Sequence, residues 1–250
     1  MKILSSFDPE QLKIGTDVEL EHTSDRKIAE KIAKDHLKEC PNYYTRLLKM
    51  EKECDSEKAS VPDNDYVFFD TEFYENGEVI IPISIGMVKG LEGNEHLYLV
   101  NADFDYDWMV ADAKSRGSEE TIEFLDKNVF NNICATSENT FSMSIIKDIM
   151  TQFLPKVPCL WASTASYDWI LLCQMFGRMV DKPKEYPYFP MDTAQLKKMF
   201  PQVTVDYSCM PDNSITLGCE HNALFDAYET RCKYLSYRKF VTENKLPISL

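Results

Sequence analysis

The stretch YVFFDTEF, residues 66–73, decides how this chain of 250 residues folds. Its first four residues are apolar and favour β-structure, which predicts a buried strand. Asp70 and Glu72 follow two positions apart, so the alternation of side chains along a strand directs both carboxylates to the same face. A solvated turn explains such an acidic pair equally well when the pair stands alone. The pair becomes a candidate site only together with functional residues elsewhere in the sequence.

A third acidic residue lies at the start of a predicted helix. Residues 157–161 predict a buried strand, and Ser166 is a favourable N-cap for a helix that ends near Gly177. Asp168 falls in the first turn of that helix, where the helix dipole stabilises a carboxylate. This stabilising role accounts for Asp168 without any ligand. Helix stabilisation and metal binding therefore both stay open for this residue on its own.

The segment HNALFDAYET, residues 221–230, carries the most specific signal. The chain has four histidines, and only His221 is followed by an aspartate five residues later, which is Asp226. We predict a helix over residues 223–237, with Asp226 in its first turns and His221 on the loop before it. This arrangement suits a catalytic site, with a general base on the loop at its entrance and a metal ligand on a rigid helix.

In this order and in these settings, the motifs resemble the DEDD superfamily of 3′–5′ exonucleases, in its histidine-bearing branch. More narrowly, residues 69–73, 160–177 and 221–226 resemble a bacterial and phage group of RNase T-like 3′-exoribonucleases. The likeness covers residues 66–237. It departs from the superfamily pattern at Thr164, where many DEDD enzymes carry an asparagine.

The resemblance implies a fold and a site. The fold is the RNase H-like α/β fold, a mixed sheet flanked by helices, and the order of predicted strands and helices suits it. Asp70 would bridge two divalent ions, Mg²⁺ or Mn²⁺, which prefer oxygen ligands. Glu72 and Asp226 would complete the shell of the first ion, and Asp168 would hold the second. His221 would take a proton from the attacking water, and the products would be nucleoside monophosphates.

The implied substrate is the single-stranded 3′ end of RNA. An exonuclease that acts on DNA ends is the alternative, because both substrates carry the same phosphodiester. Phe73, Tyr74 and Trp169 lie beside the ligands in the sequence and are candidates to stack on terminal bases, although each suits core packing equally well. A third alternative is a non-catalytic nucleic-acid-binding or scaffold protein of the same fold. The presence of all five site residues disfavours it.

The charge balance limits how such a protein can hold nucleic acid. The formal net charge is −14, whereas proteins that bind long duplexes without sequence preference are basic, because phosphate contacts supply most of their affinity. This objection applies less to a nuclease with bound cations. The cations carry the positive charge to the scissile phosphate, and a cluster of carboxylates is required to hold them. The acidic chain is therefore compatible with holding a few nucleotides at a 3′ end.

The sequence predicts a cytoplasmic protein, in the host cytoplasm if a phage encodes it. No apolar run approaches a membrane span, so we expect no membrane contact, and the start of the chain lacks the apolar stretch of a signal peptide. The eight cysteines include no C-x-x-C pair, so we expect reduced thiols. A zinc site at Cys209 and Cys219 is the alternative, without paired spacing to support it.

Composition divides the chain into three parts. We predict a helical module at residues 1–53, a polar linker at 54–65 and an RNase H-like 3′–5′ exonuclease domain at 66–250. Residues 18–48 resemble a small phage and bacterial domain of unknown function. Two predicted helices bury little apolar surface, so we expect the module to pack on the larger domain or on a partner, either another protein or a second copy in a homodimer.

Overall fold

The computed structural model describes residues 7–59, 61–211, 219–248 and 250, and the side chains of all of these except 52–59. The chain falls into two compact units, Met1–Ser60 and Val61–Leu250. Residues 1–6 of the predicted module and residue 60 of the predicted linker lie outside the described residues.

The first unit contains helices α1 (Pro9–Glu19), α2 (Arg26–Glu39) and α3 (Tyr43–Ala59). Side chains before the first two helices cap them: Asp8 accepts backbone N–H groups of α1, and Asp25 accepts one of α2. The helices enclose a small core that includes Ala33, Leu37 and Tyr44.

Helix α3 continues beyond the point where the sequence predicts a linker. It ends at Ala59, so residues 54–59 are helical, whereas the segment 54–65 was expected to be irregular. The expectation rested on polarity and on Pro62. Polar residues such as Glu and Lys favour helices, and no glycine or proline interrupts the segment before Pro62.

The second unit is built on a mixed sheet, which has six strands among the described residues, in the order β4-β3-β2-β1-β5-β6. Strands β1, β2 and β3 pair antiparallel, whereas β5 pairs parallel with β1 and β6 parallel with β5. This confirms the predicted RNase H-like sheet. The strands are β1 (Tyr66–Glu75), β2 (Ile80–Lys89), β3 (Glu95–Asn101), β4 (Thr140–Phe141), β5 (Cys159–Ala162) and β6 (Met191–Asp192).

Helices cover both faces of the sheet, as predicted. Val67 and Phe69 of β1 face a core shared with α6 (Met143–Phe153) and α7 (Ser166–Met175), and the alternating residues Tyr66 and Phe68 face a core shared with α9 (Ala223–Glu243). Strand alternation therefore separates the two layers. The helices of this unit are α4 (Tyr106–Arg116), α5 (Glu119–Phe124), α6 (Met143–Phe153), α7 (Ser166–Met175), α8 (Thr193–Met199) and α9 (Ala223–Glu243). Among the described residues, none of these helices combines the length and the apolar character that a bilayer crossing requires.

A disulfide ties the segment before residue 212 to α9. It joins Cys209 to Cys232, so the expectation of reduced cysteines is wrong for this pair, and Cys209 is not free to bind zinc. Two hydrogen bonds reinforce the tie: Arg231 Nη1 donates to the Cys209 carbonyl (3.0 Å), and the Asp206 N–H donates to Ser236 Oγ (2.9 Å). The packing of this segment on α9 determines the pairing, and cysteine spacing along the sequence cannot reveal it.

Candidate active site

Asp70 and Glu72 lie on the central strand of the sheet. They follow Phe68 at alternate positions, and Phe68 faces the core shared with α9, so both carboxylates point to the α9 side. Asp70 is half-buried, and Glu72 is only 8% exposed. The strand therefore fixes the direction and spacing of both carboxylates, as the sequence predicts.

A glycine on the neighbouring strand brings α9 close to these carboxylates. Gly86 pairs with Asp70 across β1 and β2. A Cβ atom at Gly86 would lie 2.2 Å from the carbonyl oxygen of Ala223, a separation that real Cβ atoms do not show. The first turn of α9 thus rests directly on the backbone of β2. Asn222 caps this turn by accepting the N–H groups of Leu224 and Phe225.

His221 and Asp226 meet Glu72 at this end of the helix. The His221 N–H donates to Asp226 Oδ2 (2.9 Å), and the imidazole packs edge-on against Phe124. His221 has a φ of 67°, a left-handed conformation that histidine adopts more readily than most residues. Glu72, His221 and Asp226 each offer a ligand atom within 4.8 Å of the others. Residues far apart in the sequence therefore form one possible cation site.

Asp168 reaches the same cavity from the opposite layer. Its Oδ1 accepts two hydrogen bonds from Thr71, one from the backbone N–H (2.9 Å) and one from Oγ1 (2.6 Å). Thr71 stands between Asp70 and Glu72 and points the other way, so it docks the first turn of α7 onto β1. No role was predicted for Thr71 from the sequence, although its place between the two acids was a signal.

One cavity of about 450 Å³ collects all five predicted site residues. Its described lining holds six carboxylates and a single lysine, Lys233. Lys233 lies two helical turns after Asp226, and its Nζ pairs with Glu229 (2.7 Å). Helical periodicity places these α9 residues on one face, which sequence reasoning could have noticed. The remaining acidic members are Asp70, Glu72, Asp168, Glu220 and Asp226.

Burial and mutual repulsion raise the pKa values of these acids. Burial, then the charges of Asp226 and Asp168, raise the pKa of Glu72 to about 8. Burial and the neighbouring carboxylates raise the pKa of Asp70 well above its usual value. Burial raises the pKa of Asp226 to about 7 against the opposing hydrogen bond from His221. Burial likewise raises the pKa of Asp168 to about 6, opposed by the hydrogen bonds from Thr71.

The donor set fits divalent cations. Carboxylates that lie close together in a partly buried cavity lose hydration and repel one another. A bound cation offsets both costs. Carboxylate oxygens suit Mg²⁺ and Mn²⁺, whereas an imidazole is better suited to Zn²⁺ and similar ions. Glu72, Asp226 and His221 form the tightest group among the described residues, and Asp70 and Asp168 line the same cavity.

The three predicted stacking residues have different surroundings. Phe73 lines the cavity and stacks on Tyr167, with ring centroids 5.2 Å apart. Tyr74 points away from Phe73, on the face of β1 that Asp70 and Glu72 share, but it is buried beyond them and its hydroxyl donates to Asp112 of α4 (2.8 Å). Trp169 packs against the core between the sheet and α6 and α7. Neither Tyr74 nor Trp169 belongs to the described lining of the cavity, because packing against α4 holds Tyr74 and the core between the sheet and α6 and α7 holds Trp169, whereas the exposed Tyr167 does line it.

Thr164, the departure from the superfamily pattern, also lines the cavity. Its backbone has a φ of 63°, and its N–H donates to Asp192 Oδ1 (3.0 Å). Asparagine adopts this left-handed conformation more easily than threonine does. The position therefore has a backbone requirement that an asparagine would satisfy better.

A mixed sheet whose central strand, α7 and α9 gather carboxylates and a histidine in one open cavity defines the class as a hydrolase of the nuclease type. Comparison with known proteins agrees. Residues 65–237 match the model of the 3'-5' exoribonuclease Rv2179c-like domain. This match spans more than half of the chain, and the chain belongs to that family. It is accordingly a 3′–5′ exonuclease.

Two similar proteins come from strains of Mycobacterium tuberculosis. They are 3'-5' exoribonuclease Rv2179c of strain ATCC 25618 / H37Rv and 3'-5' exoribonuclease MT2234.1 of strain CDC 1551 / Oshkosh. Each is 29% identical to this chain over 134 residues, which are 52% of this chain and 71% of the relative. Residues 2–53 match the model of a family of unknown function, DUF5661.

Proposed function

We propose that this protein is a metal-dependent 3′–5′ exoribonuclease that removes nucleoside monophosphates from RNA 3′ ends by two-metal-ion hydrolysis. The observation that carries the proposal is the convergence of the five predicted residues in a single cavity. The family match and the names of the two similar proteins support RNA as the substrate. The five residues are Asp70, Glu72, Asp168, His221 and Asp226.

The carboxylates would hold two ions, Mg²⁺ or Mn²⁺, with Asp70 as the shared ligand. When bound, such ions polarise the phosphodiester and lower the pKa of water. Thr71 keeps Asp168 oriented through two hydrogen bonds, so its remaining oxygen is directed into the cavity. Positioning of this kind supports the ligands in the way that outer-shell contacts do in other metal sites.

His221 would act as the general base. Its backbone N–H is tied to Asp226, and its ring rests on Phe124, so the imidazole is held at the rim of the cavity beside two acids. A neutral imidazole there can accept the proton of the attacking water. The 3′-terminal base would stack on the pair formed by Phe73 and Tyr167, whose exposed faces border the cavity.

A digestion experiment tests the proposal. Matched 5′-labelled RNA and DNA oligonucleotides are incubated with the protein and Mg²⁺, Mn²⁺ or a chelator. We expect RNA to shorten stepwise from its 3′ end with metal, to stay intact with chelator, and to shorten faster than DNA. Asp70→Asn should abolish shortening, whereas Asp107→Asn, an exposed acid on α4, should leave it unchanged.

Three results would contradict this proposal. Faster degradation of DNA would overturn the RNA assignment. An active Asp70→Asn protein would overturn the assigned site. Equal activity in chelator would overturn the metal requirement.

A further inference from the structure

A second cavity, of about 360 Å³, lies next to the candidate active site. Its volume is within the range of about 300–1,000 Å³ that is typical of sites for small ligands. Pro82 of β2, Met143 and Lys147 of α6, and Leu171 and Gln174 of α7 contribute to its walls. None of the five predicted site residues belongs to its described lining.

The two cavities share their supporting elements. On α7, Tyr167 lines the active-site cavity, and Leu171, one turn later, lines the second cavity. A helical turn advances about 6 Å, since each residue rises about 1.5 Å. On the sheet, Phe73 lines the first cavity, and its cross-strand partner Pro82 lines the second. The stacked pair of Phe73 and Tyr167 therefore stands where the two cavities meet.

The chemistry of the second cavity complements a nucleotide. The ammonium of Lys147 and the side-chain amide of Gln174 make no hydrogen bond or ion pair with any described residue. Apart from Ser144, the remaining wall is apolar and includes the partly exposed Pro82 and Met143. A base can pack on such a wall, an amide can bond to its edge, and an ammonium can bind a phosphate.

Charge distinguishes the two cavities. The lining of the active-site cavity includes six carboxylates, which repel the phosphates of an RNA strand wherever no cation intervenes. The described lining of the second cavity includes no acid and one lysine. The carboxylate of Asp103 lies at the start of α6, but there it accepts the Met143 N–H (2.8 Å). A strand that leaves the active site is thus attracted toward Lys147.

We propose that the second cavity binds an upstream nucleotide of the RNA strand whose 3′ end occupies the active site. The strand passes over Phe73 and Tyr167, one upstream base rests against Pro82 and Met143, and its phosphate binds Lys147. This subsite rests on the proposed exoribonuclease function. It predicts that the protein distinguishes RNA chains by length, because a dinucleotide without a 5′ phosphate offers Lys147 no upstream phosphate to bind.

Substrate length tests the subsite. Steady-state kinetics of Lys147→Gln are measured on a dinucleotide and on an RNA octamer, beside the parent. We expect kcat/KM on the dinucleotide to stay within about twofold. On the octamer it should fall about tenfold or more through a higher KM, since the variant loses a charged hydrogen bond to the phosphate. The dependence of octamer binding on salt should also weaken by about one phosphate contact.

Two further variants supply the controls. Lys147→Arg keeps the charge and should restore most of the octamer activity. Lys156→Gln removes an exposed lysine that precedes β5, at the end of the sheet away from the site, and should behave as the parent. Equal losses on the dinucleotide and the octamer, or an unchanged octamer KM, would overturn the subsite.

Failure of the subsite and failure of the proposed function give different results. A parent protein that cleaves neither RNA contradicts the function. In that case anisotropy of a labelled octamer, with Ca²⁺ present, still tests the subsite. Weaker binding by Lys147→Gln than by Lys156→Gln supports it, and equal binding overturns it.

Discussion

The four acids predicted as metal ligands are oriented in different ways. Asp168 accepts two hydrogen bonds from Thr71, and Asp226 accepts one from the His221 backbone. Asp70 and Glu72 depend on the strand itself for their direction. These contacts orient the carboxylates but only partly offset the cost of crowding them, as their raised pKa values show. Crowding of these carboxylates thus lowers the stability of the metal-free protein, and a bound cation would offset that cost.

The first prediction concerns the stability of the metal-free protein. The pKa of Glu72 is raised from 4.5 to about 8, and that of Asp226 from 3.8 to about 7. Between these limits the folded state retains protons that the unfolded chain has released. The stabilisation by the protonated acids is therefore complete below the unfolded values and is lost as the pH rises to about 8. Thermal unfolding in chelator should show a melting temperature that falls over this window.

Substitution separates this effect from the general acidity of the chain. Glu72→Gln removes one titrating group, so it should raise the melting temperature at pH 8 by a few degrees and change it little at pH 5. Glu123→Gln, an exposed acid on α5, serves as the matched control. Identical pH profiles for the parent and Glu72→Gln would show that Glu72 does not carry the predicted shift.

The second prediction separates the base from the ligands. His221→Ala should bind metal and RNA nearly as well as the parent, while turnover falls by about 10²–10⁴-fold, the usual contribution of a positioned acid–base group. Asp226→Ala should instead weaken metal binding, because it removes a ligand. Calorimetric titration with Mn²⁺ and single-turnover cleavage measure the two effects. Loss of metal binding in His221→Ala would make the imidazole a ligand, and near-parental turnover would remove its assigned role.

The contact between β2 and α9 sets the depth of the site. Gly86 allows the helix backbone at Ala223 to lie against the strand, directly opposite Asp70. Asp226 is in the first turn of the same helix, so any displacement of the helix start moves one of the proposed ligands. The strand and the helix were predicted from the sequence, but no role was predicted for this glycine.

The third prediction follows from that contact. Gly86→Ala would place a Cβ atom 2.2 Å from the Ala223 carbonyl oxygen, so the helix start must shift. We expect a lower melting temperature and weaker Mn²⁺ binding, with both changes larger than those for Gly77→Ala. Gly77, in the turn after β1, has open space around it but a φ of 83°, so its substitution tests backbone strain alone. Equal effects at the two glycines would argue against the close approach.

For the whole molecule, the distribution of the site over the chain leads to the fourth prediction. The cavity-lining residues lie between Asp70 and Lys233, inside the unit Val61–Leu250. A protein that begins at Val61 should therefore keep metal-dependent cleavage of a short RNA, with kcat near that of the full chain. Cleavage assays and circular dichroism compare the two proteins. Complete loss of activity in a truncated protein that stays folded would show that the first unit completes the site.

The domain boundary itself remains a prediction that this truncation also examines. The described lining of the cavity includes no residue from the module at residues 1–53, so the cavity does not indicate what this module does. A homodimer contact through this module predicts that truncation changes the number of chains in the particle but leaves cleavage intact. Sedimentation of both proteins would measure that change.

Local patterns in the sequence were sufficient for the central part of this protein. The apolar run before Asp70 predicted the strand, and alternation predicted that Asp70 and Glu72 share a face. Helix-start signals placed Asp168 and Asp226 in first turns, where the structure has them. These predictions succeed because they depend on the periods of strands and helices, which a few neighbouring residues determine.

Tertiary structure alone decided the rest. It buried Tyr74 against α4, joined Cys209 to Cys232, and used Thr71 to anchor Asp168. It also requires a glycine at position 86, because the backbone at the start of α9 contacts the sheet there. Periodicity tells which side chains share a face of one element. It does not tell which other element covers that face, because that choice depends on the packing of residues far apart in the sequence.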